Sequence, residues 1–206
     1  MLPILLSVVV ISFSGVMMPG PMFAVTLAKS YKSPWAGAQI SLGHAVIEIP
    51  LILIIYFGFA QFFQNSWVQL GLSVVGGGMI FWLGIAMFRA RAEVVQRGKD
   101  LPYSAFVAGI LMSGLNPFFL LWWITIGSML IMNIMEFFVI KITGLALFII
   151  VHWLCDLVWL SFVSTLVYRT KSLWGRKLQE GLFIVCSLLL MGFGVWFLIS
   201  GIQVVI

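Results

Sequence analysis

Six apolar stretches, each long enough to cross a bilayer as a helix, leave this chain few folds to choose from. A bilayer core is spanned by about 20 apolar helical residues, and stretches of that size lie at 3–28, 35–60, 66–88, 104–132, 140–167 and 180–204. The runs are continuous and lack the alternation of barrel strands, so the element is the helix, the open-chain structure that satisfies its own backbone in lipid. Only 8% of the residues are charged and 63% are apolar, whereas a soluble domain carries about a quarter charged residues. The solvent around most of this surface is therefore lipid. No Lys or Arg precedes the first stretch, which outruns the ~7–15 apolar residues of a cleavable signal, so it is expected to stay as a helix.

The cations orient the helices. Lys29 and Lys32 follow the first span, Arg89, Arg91, Arg97 and Lys99 the third, and Arg169, Lys171, Arg176 and Lys177 the fifth. Ten of the eleven cations thus fall in alternate loops, and only Lys141 lies on the other side. The positive-inside rule places those loops in the cytoplasm and both termini outside. The net charge of +5 is then an orientation signal, and nucleic-acid binding is not needed to explain it. Tyr31, Trp35, Tyr103, Tyr168 and Trp174 flank the same loops, as an interfacial aromatic belt does.

Three spans per half is an odd number, so a duplicated half would enter the membrane upside down. Three features recur in both halves. The first span is interrupted by Pro19-Gly20-Pro21 and the fourth by Asn116-Pro117. The second holds His44 and Glu48 and the fifth His152 and Asp156, both read as His-x-x-x-acid. The third and sixth are rich in glycine, at Gly76-Gly77-Gly78 and Gly84, and at Gly192, Gly194 and Gly201. The expected fold is all-α, with six transmembrane helices as two inverted three-helix repeats. They form one domain over 1–206: repeat 1 over 1–88, a cytoplasmic linker over 89–102 and repeat 2 over 103–206. Broken spans at corresponding places in two inverted halves point to a transporter's binding site.

Proline inside a helix removes a hydrogen bond and clashes with the preceding turn. Pro21 suits the first position of a new half-helix with Gly20 as its cap, and Asn116-Pro117 reads as an N-cap followed by a favoured N1 proline. Each break is expected to present free N–H groups and a positive dipole end to a substrate carboxylate. Glu48 and Asp156 fall near the middle of their spans, where an ionised carboxylate costs at least ~2.5–3.5 kcal/mol. His44 and His152 sit one turn earlier on the same faces. Each acid is therefore expected to pair with its own histidine and to couple protons or meet a substrate ammonium. The null alternative is a set of hydrogen-bonded clusters that only holds helices together. Met17, Met18, Trp122 and Trp123 adjoin the breaks as pocket-lining candidates, while the glycines suit close helix packing.

The segments GVMMPGPMFAVTLAKS, GAQISLGHAVIEIP, GGGMIFWLGIAMFRAR and SGLNPFFLLWW resemble the LysE-type exporters, a family that includes lysine, threonine and homoserine exporters. The resemblance covers nearly the whole chain, and its most specific marks are the Pro-Gly-Pro and Asn-Pro breaks. It implies export of amino acids or similar metabolites from the cytoplasm by proton antiport, and it gives weight to Pro19, Gly20, Pro21, Asn116 and Pro117. Phe118 stands where the family often has Lys, and His44 and His152 lie outside its general motif.

The function expected is thus secondary active export with alternating access, in a multi-pass protein of the cell membrane that is not an enzyme and carries no cofactor. Its partners are a small zwitterion such as an amino acid, protons and the lipid bilayer, with no nucleic acid and with a homodimer as one allowed assembly. The rival reading is a divalent-cation exporter using His44, Glu48, His152 and Asp156. A thiol-based electron carrier would need cysteines matched between the halves, but Cys155 and Cys186 both lie in the second.

Overall fold

A computed structural model of the 206-residue chain describes residues 2–18, 20–58, 65–97 and 101–203. Among the described residues every regular element is helical. They are α1 (Leu2–Val16), α2 (Pro21–Ser30), α3 (Ala36–Tyr56), α4 (Ser66–Arg97), α5 (Ala105–Gly114) and α6 (Pro117–Trp122). A π-turn (Trp123–Gly127) leads into α7 (Ser128–Phe137), followed by α8 (Lys141–Thr170), a 3-10 turn (Lys171–Leu173) and α9 (Arg176–Gln203). Five helical stretches are long and apolar enough to cross a membrane, and six when α1 and α2, bent by 76° at their break, count as one span. This is a polytopic all-α membrane protein. Helix α4 runs on to Arg97, so most of the stretch expected as a linker is helical. Lys99 and Asp100 lie outside the described residues.

Local sequence explains where the helices start and stop. Asn65 Oδ1 accepts from Trp67 and Val68 N–H to open α4, and Ser104 Oγ accepts from Val107 N–H to open α5. Gly58 follows α3 with φ 89°, a left-handed conformation that glycine enters without a Cβ penalty.

Small residues set the crossings, because in lipid helices gain little from burying apolar surface and must pack closely instead. A Cβ on Gly43 would overlap the Phe106 carbonyl, and one on Gly109 the Ile40 carbonyl, so α3 and α5 cross backbone to backbone. Gly77 and Gly194 do the same for α4 and α9, where an added Cβ would sit 2.8 Å and 2.7 Å from the partner's carbonyl oxygen. Contacts pair Ser73 with Gly201, Gly77 with Gly194 and Gly84 with Ser187. Helices α4 and α9 therefore run antiparallel.

Two apolar cores lie on either side of a polar layer. One gathers Ile40 of α3 and Leu160 of α8 with residues of α2, α4, α5 and α9. The other gathers Leu51, Ile52 and Ile55 of α3, and Leu145 and Phe148 of α8, with residues of α1, the π-turn and α7. Helices α3 and α8 therefore also run antiparallel, and residues 44–48 and 152–156 fall between the two cores. At the Lys/Arg-rich end the elements are tied by side chains. Lys29 Nζ donates to the Leu101 and Tyr103 carbonyls, Tyr31 OH to Gln179 Oε1, and Lys171 Nζ to the Tyr31 carbonyl.

Candidate functional site

The polar layer brings both His-x-x-x-acid pairs to one place. His44, Glu48, His152 and Asp156 are all buried, with Glu48 only 1% exposed. The i, i+4 spacing accounts for one contact: His44 Nε2 lies 2.8 Å from Glu48 Oε1. The second pair departs from expectation. His152 Nε2 is 3.9 Å from Asp156 Oδ2 but 3.2 Å from the same Glu48 Oε1. Both histidines thus converge on Glu48, because Ser12 holds the other nitrogen of the His152 ring and turns Nε2 across to α3.

Two serines suit one tautomer of each ring, the one in which each hydroxyl bonds its own helix. The Ser12 hydroxyl donates to the Val8 carbonyl at 2.6 Å and the Ser113 hydroxyl to the Gly109 carbonyl at 2.7 Å. A hydroxyl has one proton, so each serine oxygen is left to accept. His152 Nδ1–H therefore donates to Ser12 Oγ and His44 Nδ1–H to Ser113 Oγ, both at 2.7 Å. With Nδ1–H occupied, a neutral imidazole turns a bare lone pair toward Glu48, yet each Nε2···Oε1 contact needs a proton. With the rings in those tautomers, two protons are shared among His44, His152 and Glu48. Either both rings are cationic against a carboxylate, or a carboxyl proton bonds one ring while the other ring, cationic, donates back. The trio carries +1 in both cases. Asp156, with Oδ2 4.0 Å from His44 Nε2, brings the group to neutrality when ionised, which suits a medium where net charge is costly.

The two acids differ in their partners. Glu48 Oε2 is sealed and has no hydrogen-bond partner. The Asp156 carboxylate, also buried, stands 4.0 Å from His44 Nε2 and 3.9 Å from His152 Nε2, so neither ring claims it as both claim Glu48. Both acids line a cavity of about 160 Å³ with Ser12, Gly20, Pro21, Asn116, Trp122 and Trp123, and with an aromatic wall of Phe118, Phe193, Trp196 and Phe197.

The breaks reach this cavity differently. Gly20 is extended (φ −125°, ψ −172°) and makes no side-chain cap, while Pro21 takes the first position of α2; its N-terminus faces the cavity uncapped. Pro19 lies outside the described residues. At the second break Asn116 Oδ1 accepts from Phe118 and Phe119 N–H, at 3.0 and 3.3 Å. The second break therefore does not offer the free N–H groups expected of it: the strong N-cap chemistry of Asn has already used them. Met18 lines the cavity, whereas Met17 is outside that lining and is half exposed.

Two features were not singled out from sequence. Ser12 and Ser113 are isolated serines in apolar helices, and nothing local distinguishes them from serines bonded only to their own helix. The π-turn has no proline or charge to announce it. It carries Trp123, fully buried, to an edge-on contact with His152 at 4.9 Å, and Gly127 makes room for that indole. Such π-bulges are frequent at functional sites.

Comparison with known proteins agrees with this architecture. The YcgF protein of Bacillus subtilis (strain 168), to which amino acid efflux is ascribed, is 26% identical over 210 residues, covering 97% of each chain. No solved structure matches the chain. The family model of the LysE type translocators matches residues 13–201, and the chain belongs to that family: it is a transporter of the exporter class.

Proposed function

We propose that the protein exports amino acids, or zwitterions like them, across the cell membrane in exchange for protons. The observation that carries this reading is the meeting of the buried His44–Glu48–His152–Asp156 cluster and an uncapped helix N-terminus on one cavity. The substrate ammonium sits against Asp156, and its carboxylate sits at the start of α2 after Gly20, where free N–H groups and the helix dipole favour an anion. Glu48 and the two imidazoles hold the exchanged protons. Asn116-Pro117 shapes the opposite wall. The antiparallel packing of α3 on α8 and of α4 on α9 supports two inverted repeats, 1–88 and 103–206. With the Lys/Arg-rich loops in the cytoplasm, the ties among Lys29, Tyr31, Lys171 and Gln179 form the inner gate of an alternating-access cycle, and both termini lie outside.

The test is transport in proteoliposomes with an imposed pH gradient. Reversing the gradient should reverse net flux, and Glu48→Gln should abolish the gradient's effect while leaving exchange of substrate for substrate. Flux indifferent to both refutes proton coupling.

One observation favours a second reading, a divalent-cation exporter. His44, Glu48 and Asp156 offer ligand atoms that all lie within 4.8 Å of one another. A serine holding each Nδ1–H also leaves Nε2 as the donor nitrogen that a metal needs. His44→Ala with His152→Ala separates the readings. Transition-metal transport would vanish with both rings, whereas amino-acid exchange would persist with altered pH dependence.

A further inference from the structure

We infer, building on the amino-acid reading above, that the substrate is an amino acid with a large apolar side chain, aliphatic or aromatic, and not a basic, acidic or small hydroxylated one. Size sets the outer limit. The cavity, about 160 Å³, is of the order of the ~150 Å³ that encloses a benzene-sized guest and well below the ~300–1,000 Å³ of sites for drug-sized ligands. One amino acid fits.

Charge then narrows the class. Among the described residues no Lys or Arg lines the cavity, and both lining imidazoles are committed to Glu48, so an acidic side chain would find no free counter-ion there. A basic side chain would need a carboxylate besides the one that meets the α-ammonium. Asp156 fills that first role. The other candidate, Glu48, has Oε1 committed to both imidazoles and Oε2 sealed from the cavity. The cluster is neutral with its shared protons, so only a net-neutral guest keeps the buried layer neutral.

The aromatic wall selects among neutral side chains. Phe118, Phe193, Trp196 and Phe197 line the cavity beside the cluster, and their rings pack as one layer, with Phe118 and Phe193 each 5.9 Å from Trp196. The hydrogen-bond acceptors among the described lining side chains belong to the cluster and the breaks, at Ser12, His44, Glu48, Asn116, His152 and Asp156, and the rest of the lining adds only the indole N–H donors of Trp122, Trp123 and Trp196. Ser12 and Asn116 are already engaged. A side-chain hydroxyl on the guest would exchange its water for at most an indole N–H on that wall, while an alkyl or aryl group would gain contact.

The experiment uses the full chain in proteoliposomes and measures uptake of leucine, phenylalanine, lysine, glutamate, threonine and alanine separately under an imposed pH gradient. Leucine and phenylalanine should be carried with half-saturation at least ~10-fold lower than threonine or alanine, the scale on which an apolar pocket discriminates. Lysine and glutamate should not be carried. Transport of lysine, glutamate or threonine as good as that of leucine overturns the assignment of class but leaves amino-acid export standing. Transport of none of the six overturns both. Phe118→Ala, read as the ratio of leucine to alanine half-saturation so that the amount of folded protein cancels, should shrink the preference severalfold, and Phe118→Leu should largely keep it. An unchanged ratio in Phe118→Ala overturns the assignment of that wall.

Discussion

The two halves of the chain carry the same parts and put them to different uses. In the first half the break after α1 leaves the start of α2 uncapped, with Gly20 extended, and the acid on the next helix, Glu48, is shut between two imidazoles. In the second half Asn116 caps its own break, while Asp156, lining the same cavity, stays 3.9 to 4.0 Å from both imidazoles and is the acid left uncommitted. Each half thus supplies one closed and one open element, in opposite order. The lesson is that a repeat recognised by matched motifs need not be a repeat of roles, since a capping side chain or a converging ring decides which copy is free to meet a ligand.

That division can be broken residue by residue. The largest effect is expected at the open acid. Asp156→Asn removes the ammonium's partner and leaves the His44–Glu48–His152 trio with an uncompensated charge. Truncating one member of a buried charge pair costs about 2–5 kcal/mol, so half-saturation in proteoliposome transport should rise ~30-fold or more. An effect equal to that of Glu48→Gln on both affinity and pH coupling would erase the distinction between the two acids.

Next come the serines. Ser12→Ala and Ser113→Ala each strand a buried imidazole N–H, at about 1–3 kcal/mol, and both should lower the thermal midpoint and shift the pH profile of exchange. If either leaves both unchanged, the assigned tautomers are wrong for that ring. Gly20→Asp should act less strongly. It places a carboxylate where the substrate's is expected, raising half-saturation about tenfold, or ~1.4 kcal/mol, with only tenths of a kcal/mol of stability change for the new cap. An added Cβ there meets nothing closer than the Met18 carbonyl oxygen at 3.9 Å, so steric damage does not confuse the result. The smallest effect belongs to the closed break. Asn116→Ala should cost ~1 kcal/mol of stability, roughly 2–4 °C in thermal midpoint for a chain of this size, with half-saturation unchanged. A large loss of affinity there would make the second break a ligand site after all.

Much of this was legible residue by residue. The i, i+4 spacing of His44 and Glu48 predicted a contact that the helix delivers at 2.8 Å, because both ends of that contact lie on one helix. Asn116-Pro117 predicted an N-cap for the same reason. The spacing of His152 and Asp156 is identical and predicts the same neighbour, which is delivered only as a 3.9 Å ion-pair approach and not as a hydrogen bond. Its ring answers to Ser12, 140 positions away in sequence, and no local pattern encodes that distance. The π-turn at Trp123 was hidden in the same way, since its reason is the packing of an indole against His152 and not a breaker residue.

The amino-acid sequence by itself determined that this chain lives in lipid, how many times it crosses, and that the crossings are broken at Gly20-Pro21 and Asn116-Pro117. Those properties follow from hydropathy, backbone hydrogen bonding and the missing proline N–H, all of which act within a few turns of one helix. The tertiary structure alone decided that four titratable side chains from two antiparallel helices share one layer and two protons. It alone decided, too, that Glu48 takes both imidazoles while Asp156 stands off from them, and that the cavity they line has an aromatic wall. The physical reason is range. Proton sharing, burial and charge balance are set by atoms brought together from distant segments, and only the packing of α3 on α8 brings them within hydrogen-bond distance.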